Sequence, residues 1–305
     1  MKTSHGLLPL RRSLLATPGN VPAKVQKALQ LPVDVLMLDL EDGVPNTDSA
    51  KARARAVLKE ALGSGAAFVP REIAVRINGP RTPWFIDDIH FAVAADLKTV
   101  VIPMVYDAAD LEFAERCLRV AGASETLGLV LLIETPAGVL NLPEIVKASP
   151  RINGLIGGGL DYAAAMQSLS ILPLPGNEGG RADDDLIYMR QRILAVGRAH
   201  GLSVLDAMRP GLLADKEAFR ADARRARWLG FDGVDFFHPG FIDIANEVFS
   251  PTAEELEWAH RVLEATASRG EDAPASAKID GRVVLPQHIE IAHRFIAQAQ
   301  QIAGR

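Results

Sequence analysis

The sequence predicts an α/β fold, a TIM (β/α)8 barrel with a C-terminal helical extension, and three observations carry that prediction. Short apolar runs recur eight times, each followed by a segment whose apolar residues have helical spacing; this alternation is the mark of βα units. The alternation fills about 250 residues, the usual length of such a barrel. The turn after the first run reads Thr17-Pro18-Gly19-Asn20 and is not a G-x-G-x-x-G fingerprint, which leaves a doubly wound open sheet as second choice.

The runs begin with Arg12 to Thr17 (RSLLAT), Asp34 to Leu40 (DVLMLDL) and Ile73 to Asn78 (IAVRIN). Thr99 to Met104 and Gly128 to Glu134 are nearly unbroken apolar stretches, as expected of parallel strands covered on both faces. Ile152 to Gly158, Ser203 to Met208 and Gly233 to Phe237 complete the set. Three helices between them carry end signals. Asp48 is placed to cap SAKARARAVLKEAL, Asp107 to cap a helix that stops at Gly122, and Asp215 to cap one that stops at Gly230. Gly157 to Gly159 lack the Lys-Ser or Lys-Thr of a phosphate loop and read as a tight turn. The long connection from Ala163 to Asp185 is expected to be a lid or a disordered loop. Past the eighth unit a capped helix begins near Ser250 or Thr252. The polar linker SRGEDAPASAK, a turn at Asp280 and Gly281, and a last helix opened by Pro286 follow. Residues 1–268 are expected to form the catalytic barrel, and 269–305 a linker and a lid or oligomerisation helix.

With 305 residues, 48% of them hydrophobic, the chain can bury a full-sized core. A net charge of -5 and the lack of a basic run argue against nucleic acid or an anionic membrane as partner. No apolar run reaches the roughly 18 residues of a membrane span, and Arg11 and Arg12 interrupt what would be a signal peptide's apolar core. A cytoplasmic protein is expected. The single cysteine, Cys117, excludes an intrachain disulfide and sits in a helical pattern, where it packs.

Barrels of this kind build their active sites from strand C-termini and the loops that follow. Those positions hold Asp39, Glu41 and Asp42, then Arg76 and Asn78, then Glu134, Asp161, Asp206 with Arg209, and His238. A carboxylate that ends a buried strand, as Glu134 does, is costly unless it is paired or bound to a cation. All-oxygen ligation suits Mg²⁺ or Mn²⁺, and Mg²⁺ takes one or two protein carboxylates with water and substrate. Glu134 and Asp161, on neighbouring strands, are the natural ligand pair; Glu41 or Asp42 can hold a metal-bound water from further out. For Asp39 and Glu41, simple pairing with Arg12, Lys51 or Arg76 is an equal alternative. A divalent metal beside an arginine suits the making or breaking of a carbon–carbon bond next to a carbonyl. A Schiff-base aldolase needs an interior lysine, and none of the eight runs contains one.

The stretches RRSLLATPGN, LDLEDGV with KARAR, VRIN, IETPAGVLN, GLD, RWLGFDG with FFHPGFI, and NEVFSPTAEELEWAHRV together resemble the CitE-like, or HpcH/HpaI aldolase and citrate lyase β-subunit, superfamily. The resemblance runs in order from about Arg12 to residue 300. It implies a TIM barrel that assembles as a homotrimer or homohexamer and uses Mg²⁺ on 3-hydroxyacyl-CoA or related aldol bonds. By motif, Glu134 and Asp161 fall on the metal ligands and Arg76 on the arginine that polarises the reacting carbonyl. Glu41 and Asp42 fall on the acids near the metal's water. Asp280 is the candidate for an aspartate that an adjoining subunit contributes as acid or base, with a plain turn role as the alternative. Arg12, Arg76, Pro136, Gly159 and Leu160 are the expected substrate contacts. The last helix, with its stripe Ile289, Ile291, Phe295 and Ile296, then covers a neighbour's site or packs on its own barrel. Met104 and Val234 stand where many members carry lysine, which bears on recognition of the CoA phosphates.

The expected activity is therefore a Mg²⁺-dependent carbon–carbon lyase, with Mn²⁺ as a possible substitute. It would act on a malyl-CoA- or citramalyl-CoA-like thioester and release a 2-oxo acid and an acyl-CoA enolate. The alternatives are an aldolase for CoA-free 2-oxo-4-hydroxy acids and a partner-dependent citrate lyase β-type subunit.

Overall fold

The computed structural model describes residues 8–171, 185–208, 215–267, 276–279 and 281–304. Eight parallel strands close into a barrel in sequence order: β1 (Ser13–Pro18), β2 (Val35–Asp39), β3 (Glu72–Arg76), β4 (Thr99–Ile102), β5 (Gly128–Ile133), β6 (Ile152–Gly157), β7 (Ser203–Ala207) and β8 (Gly233–Phe236). Each strand lies within two residues of its expected run. Helices α1 (Pro22–Ala28), α2 (Asp48–Leu62), α3 (Phe85–Ala94), α4 (Ala108–Val120) and α5 (Pro136–Ile145) follow the first five strands in turn; α6 (Gly159–Ala165) and α7 (Ile187–Ala199) both follow β6, α8 (Lys216–Leu229) follows β7, and α9 (Ile242–Val248) follows β8. Outward side chains such as Leu36, Val75, Leu131 and Phe236 form the main core with these helices.

Inward side chains form a separate core inside the barrel. Tilted strands place alternate ones in a shared layer. The observed registers give a layer of Leu14, Ala74, Val130 and Leu205, then one of Met37, Val101, Ile156 and Asp235. Above these comes a layer of Ala16, Arg76, Leu132 and Ala207. The N-terminal mouth is plugged by Arg11, which bonds Glu72 through Nε (2.8 Å) and Ser203 through Nη1 (2.8 Å).

Helix ends follow local chemistry. Asp107 and Asp110 form a capping box on α4, Asp215 caps α8, and Gly230 ends α8 at φ 111°, the left-handed region open to glycine. Thr47, not Asp48, caps α2: Thr47 is extended and its hydroxyl accepts from the Ala50 N–H, while Asp48 lies in the first turn. There its charge faces the positive end of the helix dipole.

Beyond the barrel, α10 (Ala253–Ala267), a hairpin of β9 (Ala277–Ile279) and β10 (Arg282–Val284), and α11 (Pro286–Ala303) share a small core. The hairpin is too short to show strand alternation in sequence. Ile289, Phe295 and Ile296 pack in that core, around Val262 and Ala292. The last turn of α11 leans on the N-terminal end of the barrel, where Gln301 donates to the Leu8 carbonyl (3.1 Å). The long connection is shortened by α6 and a 3-10 turn at Leu169–Ile171; the rest of it, like most of the polar linker and Asp280, falls outside the described residues. Among the described residues no helix is long and apolar enough to cross a membrane.

Candidate active site

The C-terminal rim is organised by Asp39 and Arg76, which stand opposite each other in the β2–β3 register. Arg76 donates from Nε to Asp39 Oδ1 (2.8 Å) and from Nη2 to Asp39 Oδ2 (2.7 Å). Its Nη1 lies 2.9 Å from Glu41 Oε2 and 3.9 Å from Asp42 Oδ2. Asp39 also accepts the N–H groups of Glu41 and Gly43. A Cβ on Gly43 would come within 2.7 Å of Asp39 Oδ2, so the turn after β2 needs glycine. Lys51, fully buried, donates to the carbonyls of Leu40 and Glu41. Of the pairings open for Asp39 and Glu41, Arg76 makes both, Lys51 holds the loop's backbone, and Arg12 makes neither.

Glu134 follows β5 and is 3% exposed. Its Oε1 accepts the Met104 N–H (2.8 Å), and Met104 adopts φ 51°, an uncommon conformation for a side-chain-bearing residue. Its Oε2 takes no hydrogen bond among the described residues. Gly158 makes room for it, because a Cβ there would meet Glu134 Cβ and lie 2.9 Å from Oε2. Burial, then the charges of Glu41 and Asp161, push the Glu134 carboxyl well above its ordinary value. Burial likewise pushes Glu41 up to about 8, against the attraction of Arg76. Asp161, in the first turn of α6, is raised by desolvation and by Asp42. The acids that sequence reasoning assigned to one site thus lie close enough to repel one another.

Other expected residues are placed differently. Arg12 sits at the opposite end of the barrel, where it grips Asp34 through Nε (2.7 Å) and Nη2 (2.9 Å), so it does not reach this rim. Asp206 faces outward and pairs with Arg190 of α7 (2.8 Å), with burial pushing it up to about 7. Asn78 bonds Asp88 and the Leu40 carbonyl. His238 is exposed and caps a 3-10 turn. Pro136 is at the start of α5, and Gly159 and the exposed Leu160 open α6 beside Asp161. Arg209 and Asp280 lie outside the described residues. Sequence reasoning missed Asp235, for which alternation with Val234 and Phe236 was the available signal.

The donor set fits a hard divalent cation. Two carboxylates with one open, desolvated oxygen and a surplus of negative charge call for a cation. Mg²⁺ takes one or two protein carboxylates and completes its shell with water and ligand, a part that Glu134 and Asp161 could fill.

A closed barrel with two carboxylates and an anchored arginine at its C-terminal rim is the framework of a metal-assisted carbon–carbon lyase. The chain belongs to the HpcH/HpaI aldolase/citrate lyase family, which it matches over residues 12–239. It is 34% identical over 296 residues to a (3S)-malyl-CoA thioesterase of Cereibacter sphaeroides, covering 96% of both chains. It is also 34% identical over 311 residues to an L-malyl-CoA/beta-methylmalyl-CoA lyase of that organism, again covering 96% of both. The structure of CitE from Mycobacterium tuberculosis in complex with magnesium, acetoacetate and coenzyme A is similar, with a TM-score of 0.75 and 26% identity. That match covers 97% of this chain and 99% of the other.

Proposed function

We propose that the chain is a Mg²⁺-dependent lyase that cleaves, or in reverse forms, a malyl-CoA- or citramalyl-CoA-like 3-hydroxyacyl thioester. The observation that carries this reading is the gathering of Glu134, with its open Oε2, Asp161, and Arg76 anchored by Asp39 at one rim. Mg²⁺, or Mn²⁺ in its place, would be held by Glu134 and Asp161 and supply Lewis-acid polarisation. Arg76 binds the oxygen on which negative charge develops as the carbon–carbon bond breaks, and Asp39 keeps its guanidinium from turning away. Glu41, whose carboxyl burial pushes up to about 8 against the attraction of Arg76, is assigned, in its ionised form, to take the substrate's hydroxyl proton. The bond's electron pair moves onto the thioester carbonyl, and an acid returns a proton to carbon. Asp280 from an adjoining subunit is assigned that last role.

Residues 1–268 are assigned as the catalytic domain and 269–305 as linker and lid, in a cytoplasmic homotrimer or homohexamer. The lean of α11 toward the far end of its own barrel supports a lid that serves a neighbour. Pro136, Gly159 and Leu160 are assigned as substrate contacts.

A second reading, hydrolysis of the thioester, is favoured by the thioesterase among the relatives. Purified protein with Mg²⁺ and a panel of malyl-CoA, citramalyl-CoA and the CoA-free hydroxy-oxo acids separates the two. Glyoxylate or pyruvate with acyl-CoA marks the lyase, and the free hydroxy acid with CoA marks the hydrolase. Cleavage of CoA-free acids alone would replace both. Activity that appears only with added partner subunits would point to a citrate lyase β-type subunit.

A further inference from the structure

Strand β8 places a carboxyl where its neighbours inside the barrel place hydrocarbon. Val234 and Phe236 belong to the outer core, so alternation turns Asp235 inward. Its layer is otherwise Met37, Val101 and Ile156, one layer beneath Arg76. Asp235 is 5% exposed, and its Oδ1 has no hydrogen-bond partner among the described residues. An unmet carboxyl oxygen in a core is costly. The flanking strands β1 and β7 put alanines, Ala16 and Ala207, in the layer above it, so neither overhangs it with a large side chain. Arg76 has five N–H donors; Asp39 takes two, and Glu41 Oε2, though 2.9 Å from Nη1, accepts none, which leaves two on Nη1 and one on Nη2.

We propose that Asp235 is a positioning residue for Arg76: it forms the floor of the site and supports the guanidinium from below through one bound water, so that its open edge faces the ligand. The assignment of that ligand rests on the lyase reading, whereas the water-bridged link to Arg76 does not. Burial pushes the Asp235 carboxyl up to about 7, against the attraction of Arg76. Neutral, it supports Arg76 without opposing its charge. Ionised, it joins Asp39 and Glu41 as a third counter-charge and weakens the field that Arg76 presents upward. Arg76 and Asp39 are the charged groups that face it; Leu14, Ala16, Leu205 and Ala207, from the flanking strands, do not titrate.

The test compares full-length wild type with Asp235→Leu and Asp235→Asn, using Mg²⁺ and malyl-CoA. Asp235→Leu is expected to lose roughly tenfold in kcat with little fall in Tm, since it exchanges a buried polar group for hydrocarbon of similar volume. Asp235→Asn is expected to recover all but about threefold of that loss at about pH 6, and the ratio of wild-type to Asp235→Asn kcat is expected to fall as pH rises above about 7. Wild-type kcat and pH profile in Asp235→Leu would overturn the proposal whatever its Tm. The Nε–H NMR resonance of Arg76, assigned with Arg76→Lys, gives a readout free of activity. It is expected to shift in Asp235→Leu and to return toward wild type in Asp235→Asn; an unmoved resonance overturns the proposal. Failure of the wild type to turn over any thioester would overturn the lyase reading and leave the resonance to decide the role of Asp235.

Discussion

Asp39 and Arg76 are joined by two hydrogen bonds of 2.8 and 2.7 Å, and both side chains are nearly dry. Removing one member of such a pair leaves the other's charge buried without compensation. Asp39→Ala is expected to destabilise the protein by about 3–5 kcal/mol and to lower kcat more than it raises KM, because the arginine loses its aim. Chemical denaturation and steady-state kinetics on the same preparation check both parts.

Glu134→Gln and Asp161→Asn remove the two carboxylates assigned to Mg²⁺. Each is expected to weaken Mg²⁺ binding by at least the roughly tenfold that even outer partners of a metal ligand are worth, with the fold retained. Calorimetric titration with Mg²⁺ measures this without any substrate. Wild-type affinity in either variant would remove that residue from the metal site.

Gly158→Ala tests the space that Glu134 occupies. The added methyl would meet Glu134 Cβ and lie 2.9 Å from its Oε2, so the whole Glu134 side chain must shift. Mg²⁺ affinity is expected to fall while circular dichroism is unchanged, and a crystal structure of the variant should show Glu134 displaced.

Arg12→Ala separates a structural ion pair from a substrate contact. Arg12 and Asp34 are both buried, so the variant is expected to lose about 3–5 kcal/mol of stability with KM unchanged. A raised KM at unchanged stability would return Arg12 to the substrate.

The pH dependence of stability has a definite sign. Glu41 is raised to about 8, and Asp206 and Asp235 to about 7, above ordinary carboxyl values. Between those limits the folded chain holds protons that the unfolded chain releases, so their contribution is complete below the unfolded values and is lost as pH rises through 7 and 8. The Tm of metal-free protein is expected to fall between about pH 6 and pH 8.5 on these grounds. Added Mg²⁺ should recover part of the loss by neutralising the acidic rim.

The sequence by itself determined the eight strands and where each one stops. Apolar runs such as GLVLLI end where a charged or turn-forming residue makes further burial costly, so Glu134, Asp161 and Arg76 were legible as one rim. Only the closed structure decided which way the acids at strand ends point. SVLDAM and GVDFF look alike, yet Asp206 turns out to Arg190 and Asp235 turns in beneath Arg76. Side-chain direction has a period of two along a strand, and its phase is set by pairing with strands distant in sequence and by the tilt of the closed barrel. Arg12 was misplaced for a related reason: its basic character was visible, but the buried Asp34 that claims it lies on the next strand's N-terminal side. The final helix shows the same limit. Its apolar stripe was plain, and packing alone chose α10 and the hairpin as its partners, because a hydrophobic face carries no direction of its own.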